Sequence, residues 1–238
     1  MNKIKEYFKD PMIVILCGLL VFITLGMGIS GCVSGTGNKT VICIDAAYGE
    51  TNKGYEGIVS ETEVSGKVAD ELSKLLESNR KFQVVRTDRR QSVKERCAAI
   101  NESYVDFVIS IHGAVDLDGS VQGMKNIASV PANVNSAASL KMAESVSNAF
   151  KNDMNAIFTG YMYYKPDGDM FIKEYIDETD TSTYPYDTYD LLQDCNKPVV
   201  ISEYCHVTSQ KDTDTWCNEK GYEKAAQLYY QAILKYYE

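Results

Sequence analysis

The stretch VICIDAAYGE, residues 41–50, sets the fold class of this chain. Its first four residues are apolar and mostly β-branched, which is typical of a buried strand. Asp45, Gly49 and Glu50 then mark a tight polar turn. In α/β proteins the ends of such strands carry the chemistry. Tyr48 is therefore either a candidate site residue or a partly exposed turn aromatic.

Outward from this strand, strand and helix patterns alternate along the chain. Further strands are predicted at KFQVVRT, VDFVISI and KPVVISE. Helices are predicted from about residue 61 to 77, with Ser60 as N-cap, over QSVKERCAAINES, over 133–151 and over GYEKAAQLYYQAILKYY. This alternation predicts a single α/β domain, with a mostly parallel central sheet flanked by helices on both faces.

Residues 156–194 interrupt the alternation with a predicted hairpin and an acidic, tyrosine-rich insert. The hairpin spans 156–177 and turns at Pro166-Asp167-Gly168. Seven tyrosines lie within 161–194. Two interpretations stay open: a solvated surface hairpin, or an aromatic wall beside the site that stacks on sugar faces or gates entry.

The N-terminus carries a targeting signal. Three lysines precede an apolar run from Pro11 to Cys32. The run is long enough for an uncleaved membrane anchor, and its end, Ile29-Ser30-Gly31-Cys32, resembles the lipobox of bacterial lipoproteins. The sequence thus predicts an extracytoplasmic domain tethered to the bacterial cell membrane. The predicted parts are a signal or anchor over 1–32, a linker over 33–39 and the domain over 40–238.

Charge and cysteine content argue against two classes of protein. The net charge is −9, from 24 basic and 33 acidic residues, whereas a nucleic-acid groove needs clustered Lys and Arg. Of seven cysteines, Cys17 and Cys32 lie in the N-terminal run, and the other five form no C-x-x-C pair. A zinc ribbon is unsupported, and at most two disulfides of open connectivity can form.

Three side chains stand at strand or helix ends that should share one edge of the sheet. His112, one of two histidines, follows VDFVISI; Glu203 follows PVVIS; Glu61 opens the first long helix. One imidazole and two carboxylates suit a divalent metal with an open position and a carboxylate base. Taken singly, His112 is more often structural and Glu61 is a common first-turn acid.

In order and spacing, these segments resemble the zinc-dependent N-acetylmuramoyl-L-alanine amidases that cut bacterial peptidoglycan. The family's Ile-Asp-Pro-Gly-His-Gly-Gly corresponds to residues 44–50, and its E-x-x-V-N-x-x-x-A-x-x-L to residues 61–72. Its T-R-T-D, R-x-x-x-A-N, S-I-H-A-N and V-L-V-E-x-G-F segments correspond to residues 85–88, 96–101, 110–114 and 199–206. The set runs in order from about residue 40 to 238, which makes it specific as a whole.

The resemblance implies that Glu61 and His112 are zinc ligands and that Glu203 is the catalytic carboxylate. It implies a zinc-bound water that attacks the amide between the lactyl group of muramic acid and L-alanine. Glu203 would carry the proton from the water to the leaving amine. Peptidoglycan is the implied partner.

Tyr48 departs from this pattern, since the family has its first histidine ligand there. A phenol must lose its proton to bind a metal well, so it is a poorer ligand at pH 7 than an imidazole. Three alternatives follow. Tyr48 would bind the metal weakly as a phenolate, or His206 would replace it as a ligand. Otherwise the metal site would be lost, leaving a homologue that binds peptidoglycan or a partner without turnover. Ala46-Ala47 and Glu50 also depart, which favours loss. The intact Glu61, His112 and Glu203 favour hydrolysis, which is the leading expectation.

Overall fold

A seven-stranded mixed sheet forms the centre of the chain in this computed structural model, which describes residues 39–50 and 52–238. The strands are β1 (Thr40–Ala46), β2 (Phe82–Arg86), β3 (Phe107–Ala114), β4 (Met124–Ala128), β5 (Ile157–Asp167), β6 (Met170–Asp177) and β7 (Val199–His206). Their order in the sheet is β2-β1-β3-β7-β4-β5-β6. Four neighbouring pairs are parallel, whereas β4–β7 and β5–β6 are antiparallel.

Helices cover both faces of the sheet, as the alternation predicts. They are α1 (Glu61–Ser78), α2 (Val93–Glu102), α3 (Ser136–Phe150), α4 (Asp190–Asp194), α5 (Gln210–Trp216) and α6 (Glu219–Tyr236). Successive residues of a strand point to opposite faces. In β1, Ile42 and Ile44 accordingly join the larger core with α1, α3 and α6, while Cys43 joins a smaller core with α2 and α4.

Side-chain caps fix where the first two helices begin. Ser60 accepts a hydrogen bond from the Glu63 amide at 3.1 Å, which confirms the predicted N-cap of α1. At α2, Ser92 and Glu95 form a reciprocal capping box. The cap of α1 matters for the site, because it makes Glu61 the first residue of that helix.

Two strands extend further than their apolar runs indicate. The sequence predicts that β3 ends at Ile111, just before His112, but β3 continues to Ala114, and β7 continues to His206. The parallel pairing of β3 with β7 places His112 directly beside Glu203. His112 and Glu203 are therefore paired residues within two neighbouring strands and not loop residues beyond them.

The predicted hairpin is present, and β5 and β6 are joined at Gly168, whose φ of 61° suits glycine. The predicted N-terminal segment over 1–32 and the linker, apart from Lys39, lie outside the described residues. Within the part of the chain that the structure describes, none of the helices combines the length and apolarity that crossing a bilayer requires.

Candidate functional site

Four side chains that the sequence singles out meet at one edge of the sheet. Glu61 comes from α1, His112 from β3 and Glu203 from β7, while Tyr48 lies in the loop after β1. The Tyr48 and His112 rings are 5.6 Å apart between centroids, and the charge of Glu61 acts on the Tyr48 phenol. Tyr48 has a φ of 66°, a left-handed conformation that is uncommon outside glycine. The chain thus holds this tyrosine in the site at a backbone cost.

A network of buried polar side chains connects His112 to Asp45 through Ser110. His112 Nε2 lies 2.9 Å from Ser110 Oγ, and that hydroxyl donates to Asp45 Oδ2 at 2.6 Å. Asp45 also accepts from Thr87 and forms an ion pair of 2.9 Å with Arg96. Burial lowers the pKa of His112 to about 4, so its imidazole is neutral at pH 7.

Glu61 and Tyr48 form a second pair in the site. Glu61 Oε2 accepts a hydrogen bond of 2.6 Å from the Tyr55 amide. Burial raises the pKa of Glu61 to about 6 despite that hydrogen bond, and the charge of Glu203 raises it further. Burial, with the charges of Glu61 and Glu203, raises the pKa of Tyr48 well above its usual value. The phenol is therefore protonated at neutral pH and serves as a hydrogen-bond donor.

Two lysines enclose the carboxylate of Glu203, which is itself buried. Lys173 Nζ, from β6, lies 3.3 Å from Glu203 Oε1, and Lys125 Nζ, from β4, lies 3.5 Å from Oε2. The Tyr189 hydroxyl donates to Oε1 at 2.5 Å and accepts from Lys173 at 2.6 Å. Burial alone would raise the pKa of Glu203, but the lysines and the Tyr189 hydroxyl outweigh it, and that pKa lies below its usual value.

Sequence reasoning missed both lysines. Lys125 lies opposite Glu203 in the antiparallel β4–β7 pair, and Lys173 comes from a strand at the edge of the sheet. Neither contact is visible in a local pattern, because the partners are far apart in the chain. For Lys173 one signal was available: lysine is depleted in strands, so a lysine inside the predicted hairpin indicates a special partner.

His206 lies near Glu203 but is engaged elsewhere. Its Nδ1 is 3.2 Å from the Gly123 carbonyl oxygen and 3.5 Å from Asp212 Oδ2, and its Nε2 is 3.4 Å from Lys125 Nζ. Both ring nitrogens thus have partners, and these partners do not include Glu61 or His112. In this conformation His206 offers no free nitrogen to a metal at those two residues.

Three tyrosines of the insert reach the site. Tyr189 lies 5.9 Å from the His112 ring and 6.0 Å from that of Tyr164, measured between centroids, and the Tyr175 ring centroid lies 5.2 Å from Lys125 Nζ. Tyr164, Tyr189 and His112 line a cavity of about 120 Å³. A second cavity of about 240 Å³, lined by Tyr48, shares His112 with the first. The insert therefore supplies part of the cleft wall.

The donor set does not fit the zinc site that the resemblance implies. A catalytic zinc takes three protein ligands and keeps one position open. Glu61 and His112 supply two, Tyr48 holds its proton, and Glu203 is held by ammonium groups. Among residues 39–50 and 52–238, no group of three or more His, Cys, Asp or Glu side chains is arranged to hold a metal ion.

Comparison with known proteins gives one family and one fold. Residues 42–235 match the family model described as N-acetylmuramoyl-L-alanine amidase. Among similar solved structures is an N-acetylmuramoyl-L-alanine amidase from Clostridium difficile 630, at 19% identity and a TM-score of 0.67, over 84% of this chain and 98% of that one. No curated protein matches.

Two further structures agree with this fold. The catalytic domain of the amidase CwlV from Bacillus (Paenibacillus) polymyxa var. colistinus shares 19% identity at a TM-score of 0.64, over 83% of this chain and 98% of that one. The CwlD amidase from Clostridioides difficile was solved in complex with the GerS lipoprotein. It shares 17% sequence identity at a TM-score of 0.61, over 84% of this chain and 98% of that one. At such identities the likeness establishes the shared fold.

Proposed function

This chain belongs to the N-acetylmuramoyl-L-alanine amidase family, and we propose that its cleft takes peptidoglycan at the amide between N-acetylmuramic acid and L-alanine. The observation that carries the proposal is the convergence of Glu61, His112 and Glu203 at one sheet edge. All three lie within the matched residues 42–235. Family membership thus supports the ligand, and the geometry supports the place where it binds.

The lining of the cleft suits a glycopeptide. Tyr164 and Tyr189 offer ring faces, on which sugar rings stack. The Lys173 side chain is 40% exposed, and an ammonium has three N–H donors. Two of these donors serve Tyr189 and Glu203, so one remains for a carbonyl or carboxylate oxygen of the ligand.

Hydrolysis of the amide is the reaction that family membership supports. A water oxygen attacks the carbonyl carbon, the C–N bond breaks, and the released amine takes a proton. Glu203 is the carboxylate placed to move that proton, while Lys173 and the Tyr48 hydroxyl are donors for the carbonyl oxygen. We assign no step to zinc. The lowered pKa of Glu203 weakens it as a base, so we expect slow turnover.

Binding without turnover is the second candidate, and the residue at position 48 favours it. A phenol occupies the place of the family's first histidine ligand, and its ring lies 5.6 Å from that of His112. The domain would then hold peptidoglycan, or a partner protein, on an amidase fold. The CwlD amidase was solved with a lipoprotein bound, which supports a protein partner as one form of this candidate.

Location follows from the ligand. Peptidoglycan lies outside the cytoplasm, and the apolar run from Pro11 to Cys32 is preceded by lysines, as export signals and anchors are. We therefore propose that the domain works outside the cytoplasm, tethered to the bacterial cell membrane by an anchor or a lipid.

Two measurements on the purified chain test the proposal. Sedimentation with insoluble peptidoglycan measures binding, and mass spectrometry of N-acetylmuramoyl peptides measures release of a free L-alanine amine. We expect binding, with slow release that Glu203→Gln abolishes. The matched control is Glu77→Gln, which changes an exposed acid at the far end of α1. Binding without release supports the second candidate, and the absence of both contradicts the proposal.

A further inference from the structure

The site carries balanced charge without any added ion. Its carboxylates are Glu61 and Glu203, and its ammonium groups are Lys125 and Lys173. His112 is neutral at pH 7, and Tyr48 keeps its proton. Charges that leave water must be paired, and here both ammonium groups pair with the buried carboxylate of Glu203.

Lys173 directly contacts two of the side chains in this site. Its Nζ contacts the Tyr189 hydroxyl at 2.6 Å and Glu203 Oε1 at 3.3 Å. Its charge also acts on Glu61 and His112, which are the two ligands that the family resemblance implies. One ammonium therefore contacts the implied catalytic carboxylate and acts electrostatically on both implied ligands.

We propose that the ammonium of Lys173 stands in for a metal ion in this site, so that the wild-type chain holds no zinc there. A divalent cation among the same groups would meet the ammonium as a like charge. It would also find only two ready ligands, because a phenol stands at position 48, where the family has its histidine, and a phenol binds a metal more weakly than an imidazole at pH 7. Two independent obstacles, one after β1 and one on β6, thus exclude the ion.

Exclusion of the cation is a property separate from the proposed function, so zinc alone is used to test it. The full chain is incubated with zinc chloride and dialysed into metal-free buffer, and its zinc content is measured by plasma mass spectrometry. The variants are Tyr48→His, Lys173→Gln and the double variant. Lys165→Gln is the matched control, because Lys165 lies in the same hairpin but pairs with Glu174.

We expect the wild type and the Lys165→Gln control to retain no zinc, and either site variant alone to retain less than one ion per chain. The double variant should retain about one ion, and zinc should raise its melting temperature while leaving that of the wild type unchanged. Stoichiometric zinc in the wild type overturns the inference. Full occupancy in Tyr48→His overturns the role of Lys173.

If the double variant does not fold, the zinc affinities of the wild type and of Lys173→Gln are compared instead. Lys173→Gln must then bind zinc more tightly than the wild type in a direct titration, and equal affinity overturns the inference. Peptidoglycan binding is measured separately, so its failure does not affect this result.

Discussion

Asp45 is the residue that connects most of the buried polar side chains behind the site. It is fully buried, accepts hydrogen bonds from Thr87 and Ser110, and pairs with Arg96. Because Ser110 also contacts His112, this carboxylate orients the imidazole through one intermediate. Asp45 is therefore a positioning residue, and it also lines the cavity that contains His112.

Removing the Asp45 carboxylate should cost much stability. Asp45→Ala leaves the buried Arg96 guanidinium without its partner, so we expect a loss of about 3–5 kcal/mol in the free energy of unfolding. Urea denaturation measures it. The control Asp70→Ala breaks the Arg86 pair, whose carboxylate is 62% exposed, and should cost at most about 1 kcal/mol. Equal losses in the two variants would show that burial does not determine how much an ion pair contributes to the free energy of unfolding.

At the residue scale, sequence reasoning reached the groups at strand and helix ends and no further. Glu61, His112 and Glu203 could be predicted to meet, because parallel strands end at one edge. Lys125 and Lys173 could not, since their approach to Glu203 depends on the register of β4 and on the placement of β6. Contacts set by pairing between distant segments leave no local pattern.

Strand β7 is the element that organises the molecule. It pairs with β3 on one side and β4 on the other, and every residue of it is buried. The sequence predicted β7 from its apolar run but missed β4, because the five-residue segment MKNIA contains two polar residues and has no clear period. This missed strand pairs antiparallel with β7, and it brings Lys125 to the site.

A cysteine of β7 lies within reach of another. Cys205 Sγ and Cys217 Sγ are 3.6 Å apart, so a small side-chain rotation brings them to bonding distance. Oxidised glutathione should form this disulfide, with two thiols losing two protons and two electrons while glutathione disulfide is reduced to two thiols. Because burial raises the pKa of Cys205, the half-buried Cys217 should react first.

Peptide mapping under non-reducing conditions measures the linkage, and thermal unfolding measures its effect. Closing a loop of this length should stabilise the chain by up to about 3 kcal/mol. Cys217→Ser is the control that removes the bond and keeps the volume similar. A map that shows no 205–217 linkage after oxidation would contradict this pairing.

At the scale of the whole molecule, two cores on opposite faces of one sheet hold residues 39–50 and 52–238 as a unit. The sequence predicted this architecture because its apolar periods alternate cleanly between strand and helix. The tether rests on another kind of signal, the four residues that end at Cys32. It remains a prediction for the intact chain in a cell.

The lipid tether can be tested by labelling. In cells fed an alkyne fatty acid, the wild-type chain should become labelled, and Cys32→Ala should lose all label and keep the mass of the uncleaved chain. Cys17→Ala, which changes a cysteine inside the apolar run, should stay labelled. A wild-type N-terminus at Met1 without an acyl chain would establish the uncleaved anchor instead.

The separation of Tyr48 from Lys173 has an evolutionary consequence. The two residues belong to the loop after β1 and to strand β6, which are far apart in the chain although both lie in the matched family region. A single codon change that restores a histidine still meets the lysine, and one that removes the lysine still meets the phenol. Each change alone removes one obstacle and leaves the other, so a lineage that carries both residues needs both changes to regain a fully occupied metal site.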